Sequence, residues 1–222
     1  MSLGSNNTSA WLVANGLRCE RDDRVLFQDL SFALGAGDIA RITGPNGAGK
    51  STLIRILIGL SAGYEGELLW QGDAMARNQY DFFANLLYLG HQPGVKANLT
   101  PEENLRWNCR DASRDDIYAA LAQVGLRGYE DVQASSLSAG QHRRVALARL
   151  YLAPPRVWIL DEPFTAIDKQ GVAKLEQTII HHAQQGGLVI LTTHHDLAVP
   201  VKHIELGGPV DRGDVATEEV GL

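Results

Sequence analysis

The 222-residue sequence predicts an α/β fold: a core of parallel strands and helices, a small antiparallel β subdomain and an inserted α-helical subdomain. Three observations predict it. A glycine-rich loop at 44–52 stands between a short strand and an amphipathic helix. The runs Val157–Leu160 and Leu188–Leu191 are continuously apolar, as strands covered on both faces are. Between about 95 and 140 the pattern turns helical, with two helix-start signals.

The loop reads Gly44-Pro45-Asn46-Gly47-Ala48-Gly49-Lys50-Ser51-Thr52 and fits G-x-x-x-x-G-K-[ST] without a mismatch. Its glycines let the backbone approach a ligand closely, so that its N–H groups form an anion-binding nest. A helix is expected to begin at about Gly49–Lys50, its positive end facing phosphate. Lys50 is expected to reach the β- and γ-phosphates and Ser51 to offer its hydroxyl to Mg²⁺. Asp38–Thr43 is the strand that feeds the loop, and Leu53, Ile54, Leu57 and Ile58 are the buried face of the helix behind it. Nucleoside triphosphate binding follows from these residues.

Trp11–Leu34 alternates apolar and polar residues around Arg21-Asp22-Asp23, which predicts an antiparallel hairpin. Glu67–Trp70 is a further strand with a turn at Gln71-Gly72-Asp73, and Leu86–Gly90 is a buried strand that releases His91 and Gln92. Thr100-Pro101-Glu102-Glu103 is a capping box with proline at the first helical position. A second start at Ser113 precedes Ile117, Ala120, Leu121 and Val124 on one helix face. Leu137-Ser138-Ala139-Gly140-Gln141 leads into a helix expected from about His142 to Leu152, capped by Ser138. Taken alone, those five residues read equally as a well-capped helix.

Val157–Leu160 ends in Asp161 and Glu162. Asp161 is placed to hold Mg²⁺ through water, and Glu162 to accept a proton from attacking water. Thr165–Asp168 is expected to open a helix reaching about Gln185, and Leu188–Thr193 to be the last buried strand, releasing His194. Ligands collect at the carboxyl ends of parallel strands, and Gln92, Asp161, Glu162 and His194 all leave such ends. Ser51, Gln92 and Asp161 form the expected Mg²⁺ set.

The formal net charge of −6 gives no broad basic field, so no nucleic acid partner is expected. No apolar run reaches the roughly 18 residues that span a bilayer, and Met1–Ala10 is too polar for a signal peptide. Cys19 and Cys109 are expected to be reduced thiols. Residues 1–10 and 207–222 are expected to be flexible tails around a single domain spanning 11–206.

From about Trp11 to Leu206 the sequence resembles the ATP-binding subunits of ABC transporters, which implies a P-loop NTPase core of ABC type. Gly44–Ser51 matches the Walker A motif, His91-Gln92-Pro93 the Q-loop, and Leu137–Gln141 the LSGGQ signature with Ala139 for its first glycine. Val157–Asp161 matches Walker B, Glu162 the catalytic glutamate, Asp168 the end of the D-loop, and His194 the switch histidine. Register with Phe27-Gln28-Asp29-Leu30-Ser31-Phe32 puts Arg21 where these proteins stack an aromatic ring on adenine; a guanidinium also stacks on a purine face. The resemblance implies that two copies sandwich two ATP molecules, each signature, led by Ser138, acting on its partner's nucleotide. A second helix N-terminus on the same phosphate adds on the order of 0.3–2 kcal/mol.

Gly90–Lys96, Leu137–Leu150, Trp158–Asp168 and Leu191–His194 are similar to the haem-exporter ATPase branch of bacterial cytochrome c maturation. This implies membrane subunits of the CcmB and CcmC type and a peripheral position on the cytoplasmic face of the inner membrane. Haem itself is not expected to bind, since the chain has no haem-attachment motif. An ABC ATPase for a lipid or drug is the alternative. A DNA-repair ATPase would carry a long coiled coil between Gln92 and Ser138, and a GTPase switch an N-K-x-D motif; neither is present.

Overall fold

The structure, a computed structural model, describes residues 10–152 and 155–207. Most of the two expected tails therefore lies outside the described residues. The chain divides into two compact units: one takes residues up to 35, 42–79 and from 203 on, the other 36–41 and 80–202.

In the first unit β1 (Leu12–Arg21) and β2 (Arg24–Leu34) form the expected antiparallel hairpin. Asp22 and Asp23 turn it at φ 49° and 59°, the left-handed pair that matches the twist of adjoining strands. β4 (Glu65–Trp70) pairs with the other edge of β1, Leu12 facing Trp70, and the short β5 (Asp73–Ala74) pairs with β4. The sheet order is β2-β1-β4-β5. Leu12, Ala14, Leu17 and Cys19 fill its inner face, with a bulge between Ala14 and Leu17 that switches the alternation. β3 (Ile39–Thr43) runs from the second unit into the first and feeds the phosphate loop. Then α1 (Lys50–Leu57) buries Leu53, Ile54, Ile56 and Leu57.

The second unit holds three parallel strands, β6 (Leu86–Leu89), β7 (Val157–Asp161) and β8 (Leu188–Thr192), in register so that Asp161 faces Thr192. Val157–Leu160 and all of β8 are buried, as their unbroken apolar sequence requires. One core packs Trp158, Leu160, Val189 and Leu191 against Leu175, Ile179 and Ala183 of α6 (Lys169–Gln184). A second core joins α3 (Pro101–Asn108), α4 (Arg114–Gln123) and α5 (Ala139–Ala148) through Leu105, Ile117, Leu121 and Val145. α5 serves both cores: Leu147 enters the first, Val145 and Ala148 the second. Truncating a leucine in either costs about 2–5 kcal/mol. The buried Asn104 ties the approach to α3: its side chain accepts from Lys96 N and donates to the carbonyls of Lys96 and Thr100.

Two boundaries and two short elements differ from expectation. α5 starts at Ala139 rather than His142, because the Ser138 cap places the first helical residue directly after it. Thr165–Ile167 stay outside α6, since Ala166 sits at φ 62° and Asp168 is the cap. α2 (Gln79–Ala84) was not foreseen, being a single short helix with only Phe82 buried. β8 is the last buried strand, but β9 (Lys202–Glu205), which was not foreseen, follows it as a short edge strand that buries one residue, Ile204.

Candidate nucleotide site

In the phosphate loop, Gly44 at φ 145° leaves no room for a side chain: a Cβ there would lie 2.5 Å from the carbonyl oxygen of Leu206. Gly49 caps α1 at φ 96°, without a side-chain hydrogen bond, and no acidic residue occupies the first turn. The N-terminal N–H groups of α1 are thereby offered to an anion. Lys50 Nζ donates to the carbonyls of Gly44 (2.6 Å) and Pro45 (3.0 Å), so the ammonium lies folded over the loop. Pro45, Asn46, Gly47 and Ser51 are exposed and Thr52 half-buried, while Ala48 is buried and closes the turn through its N–H to Pro45 O. Arg21 ends β1, exposed, its guanidinium 3.3 Å from Ser61 Oγ.

The other expected groups lie in the second unit. Thr192, buried at the end of β8, donates its hydroxyl to Asp161 Oδ1 (2.7 Å). Thr192 Oγ1 in turn accepts the N–H of Glu162 (2.9 Å), which also reaches Thr192 O (3.2 Å). Glu162 holds φ 48°, a left-handed conformation that costs a non-glycine residue on the order of 1–3 kcal/mol and persists only where the surroundings fix it. Its carboxylate is about three-quarters covered, with Oε1 3.8 Å from Nε2 of the exposed His194. That separation is too long for a hydrogen bond. Gln92 is exposed in the loop after β6.

Ser138 and Gln141 form a reciprocal capping box: Gln141 N donates to Ser138 Oγ (3.2 Å), and Ser138 N to Gln141 Oε1 (2.8 Å). Leu137 anchors the segment in the helical core, Ala139 is exposed, and a Cβ on Gly140 would meet Ala166 O at 3.4 Å. Asp168 divides its carboxylate between the cap of α6, through Gly171 N, and an ion pair with Arg144 at 2.6 Å. Among the described residues no cluster of His, Cys, Asp or Glu forms a ready metal cage.

Two residues escaped the sequence reading. Thr192 looked like one more residue of a buried strand and carried no other signal. Arg143 is 3 % exposed and donates to the carbonyls of Gly90, Asp161 and Glu162 at 2.8–3.1 Å. Burial lowers its pKa, against the opposing pull of Asp161 and Glu162. The available signal was helical phase, since Arg143, Leu147 and Leu150 share a face.

A glycine-rich phosphate loop, an acidic pair ending a buried parallel strand and a capped signature helix define one class. The chain belongs to the ABC transporter family, whose model matches residues 27–165, and it is an ATPase of that class. It is 55 % identical over 194 residues to the cytochrome c biogenesis ATP-binding export protein CcmA of Pseudomonas fluorescens, covering 86 % of this chain and 92 % of that one. The protein of the same name from Escherichia coli K12 is 55 % identical over 188 residues, covering 85 % and 91 %. Among solved structures, the ATP-binding subunit of an ABC transporter superposes with a TM-score of 0.74 at 25 % identity, over 83 % of this chain and 79 % of that chain. An Atm1-family ABC exporter with ATP bound gives 0.75 at 26 % identity, over 85 % of this chain and 35 % of that chain.

Proposed function

We propose that this chain is the ATP-hydrolysing subunit of a membrane complex in cytochrome c biogenesis, powering haem export or release of a haem-loaded chaperone. The observation that carries this reading is 55 % identity to CcmA proteins over most of both chains. One domain, 11–206 with the helical segment of about 95–140 inserted, acts as the working part. The triphosphate is gripped by Gly44–Thr52: the loop N–H groups and the start of α1 bind phosphate, and Lys50 exchanges its two carbonyl partners for phosphate oxygens. Arg21 lies against the base.

Asp161, Ser51 and Gln92 present a carboxylate, a hydroxyl and an amide oxygen, the hard donors that suit Mg²⁺, and these residues would hold it. When bound, the ion supplies charge neutralisation on the phosphate oxygens. Glu162 accepts a proton from the attacking water at its carboxylate, His194 contacts the γ-phosphate, and Gln92 links the site to the helical segment. In the nucleotide-sandwich dimer, Leu137–Gln141 acts on the partner copy's nucleotide, and Asp168 sets the D-loop. A signature whose Ser138 and Gln141 are locked in a capping box offers the helix N-terminus in a fixed orientation, which supports that use.

The further partners are membrane subunits of the CcmB and CcmC type, and the site of action is the cytoplasmic face of the bacterial inner membrane. Among the described residues no helix is long and apolar enough to cross a membrane, so attachment would run through those partners. Neither haem nor nucleic acid binds directly. The test is complementation: expression in a strain lacking its own CcmA restores c-type cytochromes, and the Lys50→Ala variant does not. Intact ATPase activity without restoration would assign another cargo.

A further inference from the structure

Arg143 occupies a position that the ATPase chemistry described above does not use. It lies on α5, two residues beyond the signature, yet its guanidinium is buried and reaches the exits of two other elements. Nη1 donates to Gly90 O (2.8 Å) and leans on His91 O (3.4 Å), where β6 gives way to the loop bearing Gln92. Nη2 donates to Asp161 O (3.1 Å) and Glu162 O (2.8 Å), where β7 ends. All four acceptors are main-chain carbonyls, and among the described residues the buried Nε meets no partner. An aliphatic side chain of that length would fill the same volume without desolvating a charge, so packing alone does not explain a guanidinium here.

The peptide after Glu162 is the part of the site that needs holding. Glu162 sits at φ 48°; its N–H is fixed by Thr192, and its C=O by Arg143. Those two anchors bracket a non-glycine residue whose backbone must be over-determined to stay in that region. A lysine carries the same charge but cannot span two pairs of carbonyls with a planar fork.

We propose that Arg143 is a positioning residue for ATP hydrolysis: its guanidinium bolts the signature helix to the exits of β6 and β7 and thereby aims Glu162. This rests on the reading of Glu162 as the base, and Arg143 acts through main-chain carbonyls rather than on the reacting atoms.

The test uses the membrane complex purified through the full-length chain, with steady-state hydrolysis over a range of Mg-ATP. Arg143→Met is expected to lower kcat about 10–100-fold, the scale seen when residues that orient metal ligands from behind are removed, with KM for ATP little changed. Arg143→Lys is expected to recover part of that loss. In a Glu162→Gln background Arg143→Met is expected to add almost nothing, because a residue acting through Glu162 has nothing left to aim. Wild-type kcat in Arg143→Met, a loss confined to KM, or a loss that adds in full to that of Glu162→Gln would each overturn the proposal. If Arg143→Met does not fold, Arg143→Lys carries the same comparison and the same criteria. Wild-type hydrolysis that is indifferent to Glu162→Gln would instead defeat the reading of Glu162, and this proposal with it.

Discussion

Replacing Glu162 by glutamine changes one carboxylate oxygen to an amide and little else. The backbone contacts that hold the residue at φ 48° run from its N–H to Thr192 and from Arg143 to its C=O, and neither uses the side chain. His194 Nε2, 3.8 Å from Oε1, makes no hydrogen bond that the change would break. The fold and the phosphate loop are therefore expected to survive, and nucleotide affinity to stay as it was. What disappears is a proton acceptor, since an amide oxygen is a far weaker base than a carboxylate. Loss of a general base is worth roughly 10²–10⁴-fold. At about 1.36 kcal/mol per tenfold, that is about 2.7–5.4 kcal/mol on the barrier. Phosphate release under saturating Mg-ATP measures it, with calorimetric titration of the nucleotide as the control. Turnover equal to wild type would remove Glu162 from its role, and loss of nucleotide binding would contradict the claim that its side chain is dispensable to the ground state.

Thr192→Val keeps the shape of β8 but removes the hydroxyl shared by Asp161 Oδ1 and Glu162 N, and is expected to lower stability by about 1–3 kcal/mol, the cost of leaving buried polar groups unpaired. Chemical denaturation reads that loss, and an unchanged midpoint would show that the bridge contributes nothing. Glu176 accepts the N–H of Ala198 at 2.6 Å and holds His195 at 3.1 Å, fastening the segment that follows His194. The hydrogen bond from the Ala198 N–H, reinforced by His195, holds this carboxyl below the usual glutamate range. A depressed carboxyl stabilises the fold above its unfolded pKa and loses that contribution as pH falls through the folded one. Glu176→Gln should therefore be less heat-stable than wild type near neutral pH, with the gap in Tm closing in acid. A gap that widens in acid would reverse the assignment.

Much of this was legible because it is local. The phosphate loop, the helix starts at Thr100, Ser113 and Ser138 and the acidic pair after Val157–Leu160 are each short patterns whose geometry follows from residue type. β9 was not, because Lys202-His203-Ile204-Glu205 offers one buried residue and no alternation long enough to weigh. Nor was the left-handed backbone of Glu162 or Ala166, which sequence associates with glycine or asparagine. Arg143 was hidden for a related reason: paired arginines on a helix read as a solvated face until the carbonyls they meet are known. Asn104 is the same case in miniature, since its partners at Lys96 and Thr100 lie outside its helix.

The measurement that bears most directly on the central claim is Mg-ATP hydrolysis by the full-length chain in its membrane complex, beside the Lys50→Ala variant. Saturable phosphate release that the variant lacks, together with weakened nucleotide binding by the variant, is the predicted result. No hydrolysis by the wild-type complex, or equal affinity and turnover in both, would contradict it.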